Sequence, residues 1–135
     1  MINSYPMSFF YAVSLVFSAI VISCSESVPE KNEMSADDLF HQLKTDTNIV
    51  VLDIRTEPEL TSELPIINGA MHIETSEVNQ RINELEPFRN KTIAVICRSG
   101  NRSRAITNLL IDKGYVVKNI TDGMIGYMKA KLEEK

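Results

Sequence analysis

Residues 49–54 read IVVLDI and residues 92–96 read TIAVI, two continuous apolar runs with almost no polar alternation. Runs of this length predict strands buried on both faces of a sheet. Helical patterns fall around them. Ser35-Ala36-Asp37-Asp38 predicts a helix start, with Ser35 as N-cap and acids in the first turn. Leu39, Phe40 and Leu43 then recur at helical spacing. Glu57 to Leu64 predicts a short helix with Pro58 in its first turn. Ala70 to Ile73 predicts a short strand, and Ser76 opens a second helix with Val78, Ile82 and Leu85 on one face. Arg104 to Lys113 predicts a helix stopped by Gly114, which can take the left-handed conformation. Val116 to Ile120 is a further strand, and Ile125 to Leu132 a last helix. Strands alternating with helices define an α/β class with a largely parallel sheet.

The pattern is different before Glu26, the first charged residue of the chain. Met7 to Ile22 is apolar apart from serines and one tyrosine. Its length suits the core of a signal peptide better than the roughly 20 apolar residues of a spanning helix. No Lys or Arg precedes the run, so an uncleaved membrane anchor stays open as the alternative. Val21-Ile22-Ser23-Cys24 resembles the lipobox of bacterial lipoproteins. That resemblance implies a signal peptide over 1–23, cleavage before Cys24, diacylglycerol on its sulfur, and a domain in the bacterial cell envelope facing the periplasm or exterior. Ser25 to Met34 is polar, contains Pro29 and reads as a tether. The folded domain is expected over 35–135.

Length and charge narrow the rest. A chain of 135 residues, 44% hydrophobic and 24% charged, holds one globular domain. A net charge of −4 argues against general nucleic-acid binding. No Cys/His spacing suggests a zinc site. His41 and His72 lie far from Cys97 in sequence and read as helix-surface and strand residues.

The chemistry concentrates after the second buried strand. Ile96 is followed by Cys97-Arg98-Ser99-Gly100-Asn101-Arg102-Ser103 and then a helix. Ligands of open α/β sheets bind at the C-terminal ends of strands. A loop entering a helix there can turn several N–H groups onto one point. Gly100 permits backbone angles that other residues resist. Arg98, Arg102 and Arg104 are three of the six arginines, and no acid lies between Cys97 and Ile111. Converging N–H groups, a helix N-terminus and guanidinium groups all favour a thiolate at Cys97. A thiolate beneath an anion cradle suits attack on a small anion or a sulfur atom. The alternative is a buried core thiol at a strand end.

CRSGNRS resembles the active-site loop of single-domain rhodaneses, the thiosulfate and persulfide sulfurtransferases. Val51-Leu52-Asp53-Ile54-Arg55 with Glu59 is similar to that family's first strand and turn. Gly69-Ala70 resembles its next motif, and Gly123-Met124 with Tyr127 its C-terminal one. The resemblance implies a five-stranded, mainly parallel sheet with helices on both faces. It implies Cys97 as the nucleophile that becomes a persulfide and passes sulfur to a thiol or cyanide. Arg98, Ser99, Gly100, Asn101, Arg102 and Ser103 would hold that persulfide, with Arg102 binding anionic donors and Ser103 capping the helix. Asp53 and Arg55 would brace the pocket, or serve the fold alone. No cofactor and no metal are implied. The partners implied are a small sulfur-containing anion or persulfide donor, a thiol acceptor, and a membrane through the lipid anchor.

Three positions depart from the family. Pro65-Ile66-Ile67-Asn68 replaces Gly-His-Ile before Gly-Ala, Asp122 replaces the first of two late glycines, and Tyr127 replaces a tryptophan. Phosphatases on the same fold carry Cys-x5-Arg; here Cys97 to Arg102 is Cys-x4-Arg, which argues against phosphatase or arsenate reductase activity. A non-enzymatic persulfide carrier or partner-binding module on the same fold is the second reading. A thiol-redox protein would need another cysteine near Cys97.

Overall fold

The computed structural model describes residues 30–134. The predicted leader, the lipidation site Cys24 and the first part of the predicted tether lie outside the described residues. Among the described residues, five strands form one sheet: β1 (Glu33–Ser35), β2 (Ile49–Asp53), β3 (Met71–His72), β4 (Thr92–Ile96) and β5 (Val116–Thr121). Their spatial order is β1-β5-β4-β2-β3, and every pairing is parallel. Four helices accompany them: α1 (Ala36–Gln42), α2 (Glu57–Leu60), α3 (Asn101–Asp112) and α4 (Gly123–Glu133).

The two apolar runs lie side by side as β2 and β4, from Ile49 opposite Thr92 to Asp53 opposite Ile96. Because side chains alternate across a strand, each run feeds two cores. Leu52, Ile93 and Val95 pack under α3 with Ile106, Leu110, Val78 and Leu85. Val51, Ala94 and Ile96 pack under α1 and α4 with Ala36, Leu39, Leu64 and Met124. Burial on both faces is why neither run alternates with polar residues. From β2 the chain passes outward to β3, and from β4 it passes the other way to β5. The C-terminal ends of β2 and β4 therefore flank the switch point of the sheet, where such folds leave a crevice.

Several boundaries differ from the sequence pattern. Glu33–Ser35, placed partly in the tether, is the edge strand β1 pairing with Asn119–Thr121. A three-residue strand has no periodicity to read, so only the partner reveals it. A 3-10 turn at Glu30–Asn32 precedes it. The helix expected from Ser76 is a run of turns followed by a 3-10 helix, Ile82–Phe88. Gln80 N–H reaches Glu77 and Glu84 N–H reaches Arg81, both three residues back, and Pro87 has no N–H to continue an α-helical ladder. Val78 and Leu85 are nonetheless fully buried; the apolar spacing is right and the helix type is not. α2 stops at Leu60 rather than Leu64. α3 begins at Asn101, three residues before the expected start. Ser35 caps α1 as expected, its Oγ accepting the Asp38 N–H at 2.9 Å.

Candidate active site

Cys97 is the first residue after β4, with 1% of its surface exposed and no disulfide. Gly100 closes the turn at φ +85°, in the left-handed region. A Cβ there would stand 2.8 Å from the Ile120 carbonyl oxygen, so both angle and space demand glycine. The turn delivers the Gly100 N–H to Sγ at 3.2 Å. Ser103 Oγ lies 3.5 Å from the same sulfur.

Ser103 is not the helix cap. Gly100 occupies that position, and Asn101, Arg102 and Ser103 form the first turn of α3. The earlier start of the helix swings Ser103 inward, fully buried, so its hydroxyl serves the sulfur instead. Burial is the largest influence on the Cys97 thiol and pushes it up. The Ser103 hydroxyl, then the N–H groups of Ser103, Ser99 and Gly100, outweigh it and hold the thiol below its ordinary value.

A second helix fixes the loop from outside. Met124 N–H donates to the Cys97 carbonyl at 2.9 Å, and Ile125 N–H to the Arg98 carbonyl at 3.2 Å. These donors come from the first turn of α4, where they have no intrahelical partner. Tying both carbonyls to α4 leaves the loop's N–H groups free to face the sulfur. Gly123 makes the approach possible: a Cβ on it would sit 2.4 Å from the Cys97 carbonyl oxygen. The sequence holds the Gly123-Met124 pair, but its contact with the loop is a tertiary fact.

Asp53 and Arg55 are both fully buried and paired. Arg55 Nη2 and Nε donate to the two carboxylate oxygens at 2.7 to 3.1 Å. Its Nη1 donates to the carbonyls of Leu64 at 2.7 Å and Glu59 at 3.2 Å. The pair thus ties the end of β2 to the 56–64 segment. His72 Nε2 lies 2.7 Å from the Arg55 carbonyl, a β3 residue bracing the same turn, while His41 is exposed on α1.

Folding brings a carboxylate to each of the three loop arginines. Arg102 Nη1 and Nη2 donate to Glu59 at 2.8 and 2.6 Å. Arg98 pairs with Glu63 at 3.4 Å and Arg104 with Glu33 at 3.8 Å. Arg102 holds the Glu59 carboxyl down, against the effect of burial and with help from Thr56, at about 2. None of these acids is near the loop in sequence, so the run between Cys97 and Ile111 conceals the balance.

The departing residues Pro65 to Asn68 and Tyr127 line a groove of about 540 Å³ beside α1 and α4. No residue from Cys97 to Ser103 lines it. Tyr127 packs edge-on against Phe40 at 5.5 Å. Asp122 holds φ +61° at the start of α4, the left-handed angle a glycine would take.

A parallel α/β sheet with a buried, thiolate-stabilising cysteine loop at its switch point defines the class of α/β domain to which this chain is to be compared. Residues 35–130 match the family described as "Rhodanese-like domain", and the chain belongs to that family. It is 26% identical over 98 residues to "Putative sulfurtransferase YtwF" of Bacillus subtilis, covering 73% of this chain and 91% of that protein. It is 33% identical over 101 residues to "Putative sulfur carrier protein YrkF" of the same organism, spanning 52% of that longer protein. The crystal structure of a rhodanese-related protein from Thermoplasma volcanium superposes with a TM-score of 0.64 at 31% identity, covering 73% of this chain and 91% of that one.

Proposed function

We propose that this protein is a sulfurtransferase that carries a sulfane sulfur on Cys97. The observation that supports it is a buried sulfur receiving the Gly100 N–H and facing the Ser103 hydroxyl, in a loop pinned by α4. With thiosulfate, the Cys97 thiolate attacks the outer sulfur. The S–S bond of thiosulfate breaks, the bond to Cys97 forms, and sulfite leaves with the electron pair. With a persulfide RSSH, the thiolate takes the outer sulfur and RS⁻ leaves. An acceptor thiolate or cyanide then attacks the outer sulfur of the Cys97 persulfide and regenerates the Cys97 thiolate. The N–H groups that favour the thiolate also suit the anionic persulfide.

Incubation with thiosulfate and cyanide should yield thiocyanate, and mass spectrometry should find one added sulfur on Cys97. Cys97→Ser should remove both. Failure of every sulfane donor to load Cys97 would overturn the reading. The relation to the sulfur carrier YrkF supports a second reading, a carrier that loads Cys97 without turnover; sustained thiocyanate production rules it out.

For location, we propose lipidation of Cys24 and an envelope-facing domain, supported by the apolar run ending in Val21-Ile22-Ser23-Cys24. Metabolic labelling with a radioactive fatty acid should mark the protein in bacterial cells. The label should vanish in Cys24→Ser.

A further inference from the structure

Among the described residues, three buried side-chain atoms have no hydrogen-bond partner: Thr107 Oγ1 and both polar atoms of the Asn119 amide. Both residues are fully buried. They face the same layer of the fold. Asn119 pairs with Val95 in the sheet and follows Val117 by two residues, so its side chain points with theirs into the core beneath α3. Thr107 lies on the buried face of α3, one turn after Ser103. Cys97 belongs to that same core. Thr107 does not bond even the Ser103 carbonyl, the usual acceptor for a helical threonine. Burying a polar group without a partner is costly, and an apolar residue of the same shape avoids the cost. Three such atoms gathered behind the cysteine call for a polar group that they share.

We infer that Thr107 and Asn119 are positioning residues for Cys97: sharing one buried water, they hold the Ser103 hydroxyl in the orientation that donates to the sulfur. Ser103 Oγ stands 3.5 Å from Sγ, where either atom could be the donor. A donor on the far side of Ser103 makes the choice. It occupies a lone pair of Oγ and leaves the hydroxyl hydrogen for Sγ. The helical spacing fits. Side chains four residues apart stand about 5–6 Å apart at Cβ, too far for two hydroxyls to bond directly and right for one water between them. That water donates to Ser103, bonds the Thr107 hydroxyl and accepts an N–H of the Asn119 amide. Buried waters make about three hydrogen bonds to groups of this kind. Each bond in such a chain polarises the next, so the bond to the sulfur is strengthened without adding a charge. The inference deepens the sulfur-transfer reading, because a hydroxyl fixed as donor suits the thiolate and the Cys97 persulfide alike, but its test does not depend on transfer.

The test is the rate of iodoacetamide alkylation of Cys97 against pH. Thr107→Val keeps the shape of the side chain and removes the hydroxyl. Its midpoint should rise, lowering the alkylation rate below the midpoint about threefold, against about tenfold for Ser103→Ala. Asn119→Leu should move the midpoint in the same direction. Thr107→Ser keeps a hydroxyl and should hold the midpoint near its natural value. In a Ser103→Ala background Thr107→Val should add nothing, because the hydroxyl it positions is gone. The charged side chains around the loop are the same in every variant: Arg98, Arg102 with Glu59, the Asp53–Arg55 pair at the end of β2, and Asp122 at the head of α4. The shift therefore reports the hydroxyl. Thr107→Val carries the test alone if Asn119→Leu fails to fold. A midpoint unmoved by Thr107→Val, an equal shift when Ser103 is absent, or a midpoint in Thr107→Ser as high as in Thr107→Val overturns the inference and leaves the transfer reading standing. The expected midpoints with no sulfur loading from any donor overturn the transfer reading alone.

Discussion

Replacing Ser103 with alanine removes the side-chain contact to the Cys97 sulfur. The hydroxyl lies 3.5 Å from Sγ, a long contact even for sulfur. Hydrogen bonds to charged groups contribute about 1.5–3 kcal/mol, and this length puts it near the lower end. At 1.36 kcal/mol per pKa unit, the thiol should rise by about one unit. It should rise no further, because the N–H groups of Ser103, Ser99 and Gly100 remain. The assay is the rate of iodoacetamide alkylation against pH, whose midpoint reports the thiolate. Stability gives a second readout. A thiol depressed in the folded state contributes stability above its unfolded value, about 8.5, and loses it as pH falls through the folded value. The deficit of Ser103→Ala should therefore be larger at pH above the unfolded value than at pH below the folded one, by roughly 1.4 kcal/mol. A midpoint that stays put or moves down would refute the assignment of Ser103 as the main counterweight to burial.

Three further outcomes follow from the geometry. Gly123→Ala should destabilise by about 2–4 kcal/mol, since its Cβ would meet the Cys97 carbonyl at 2.4 Å at φ +54°; thermal unfolding checks it, and sulfur loading of Cys97 should fall with it. Arg55→Met should cost about 3–5 kcal/mol in chemical denaturation, because it strands the fully buried Asp53 carboxylate and frees the Leu64 and Glu59 carbonyls. Asp122→Gly should stabilise by about 0.5–1 kcal/mol by relieving a left-handed non-glycine residue, seen as a higher melting temperature.

The α/β class and the two central strands were legible because burial on both faces leaves a mark that needs no partner: uninterrupted apolar runs. The candidate cysteine and its turn were legible for a related reason. Cys97, Gly100 and the following helix are contiguous, and the turn that aims their N–H groups is local. The edge strand Glu33–Ser35 was not, because three residues carry no period and pairing with β5 defines them. Nor was the conformation after Ser76, where the apolar spacing of Val78, Ile82 and Leu85 fits more than one helix type.

By itself, then, the sequence determined what was local: the order of strands β2 to β5 and of the α-helices between them, the cysteine at a strand end, and the glycine turn above it. The tertiary structure decided what surrounds that cysteine. It moved Ser103 from cap to sulfur partner, set α4 against the loop carbonyls, and brought Glu59, Glu63 and Glu33 to the loop arginines. The reason is range. Backbone turns are specified by neighbouring residues, whereas the net charge of a site is summed over every side chain folding brings within a few ångströms.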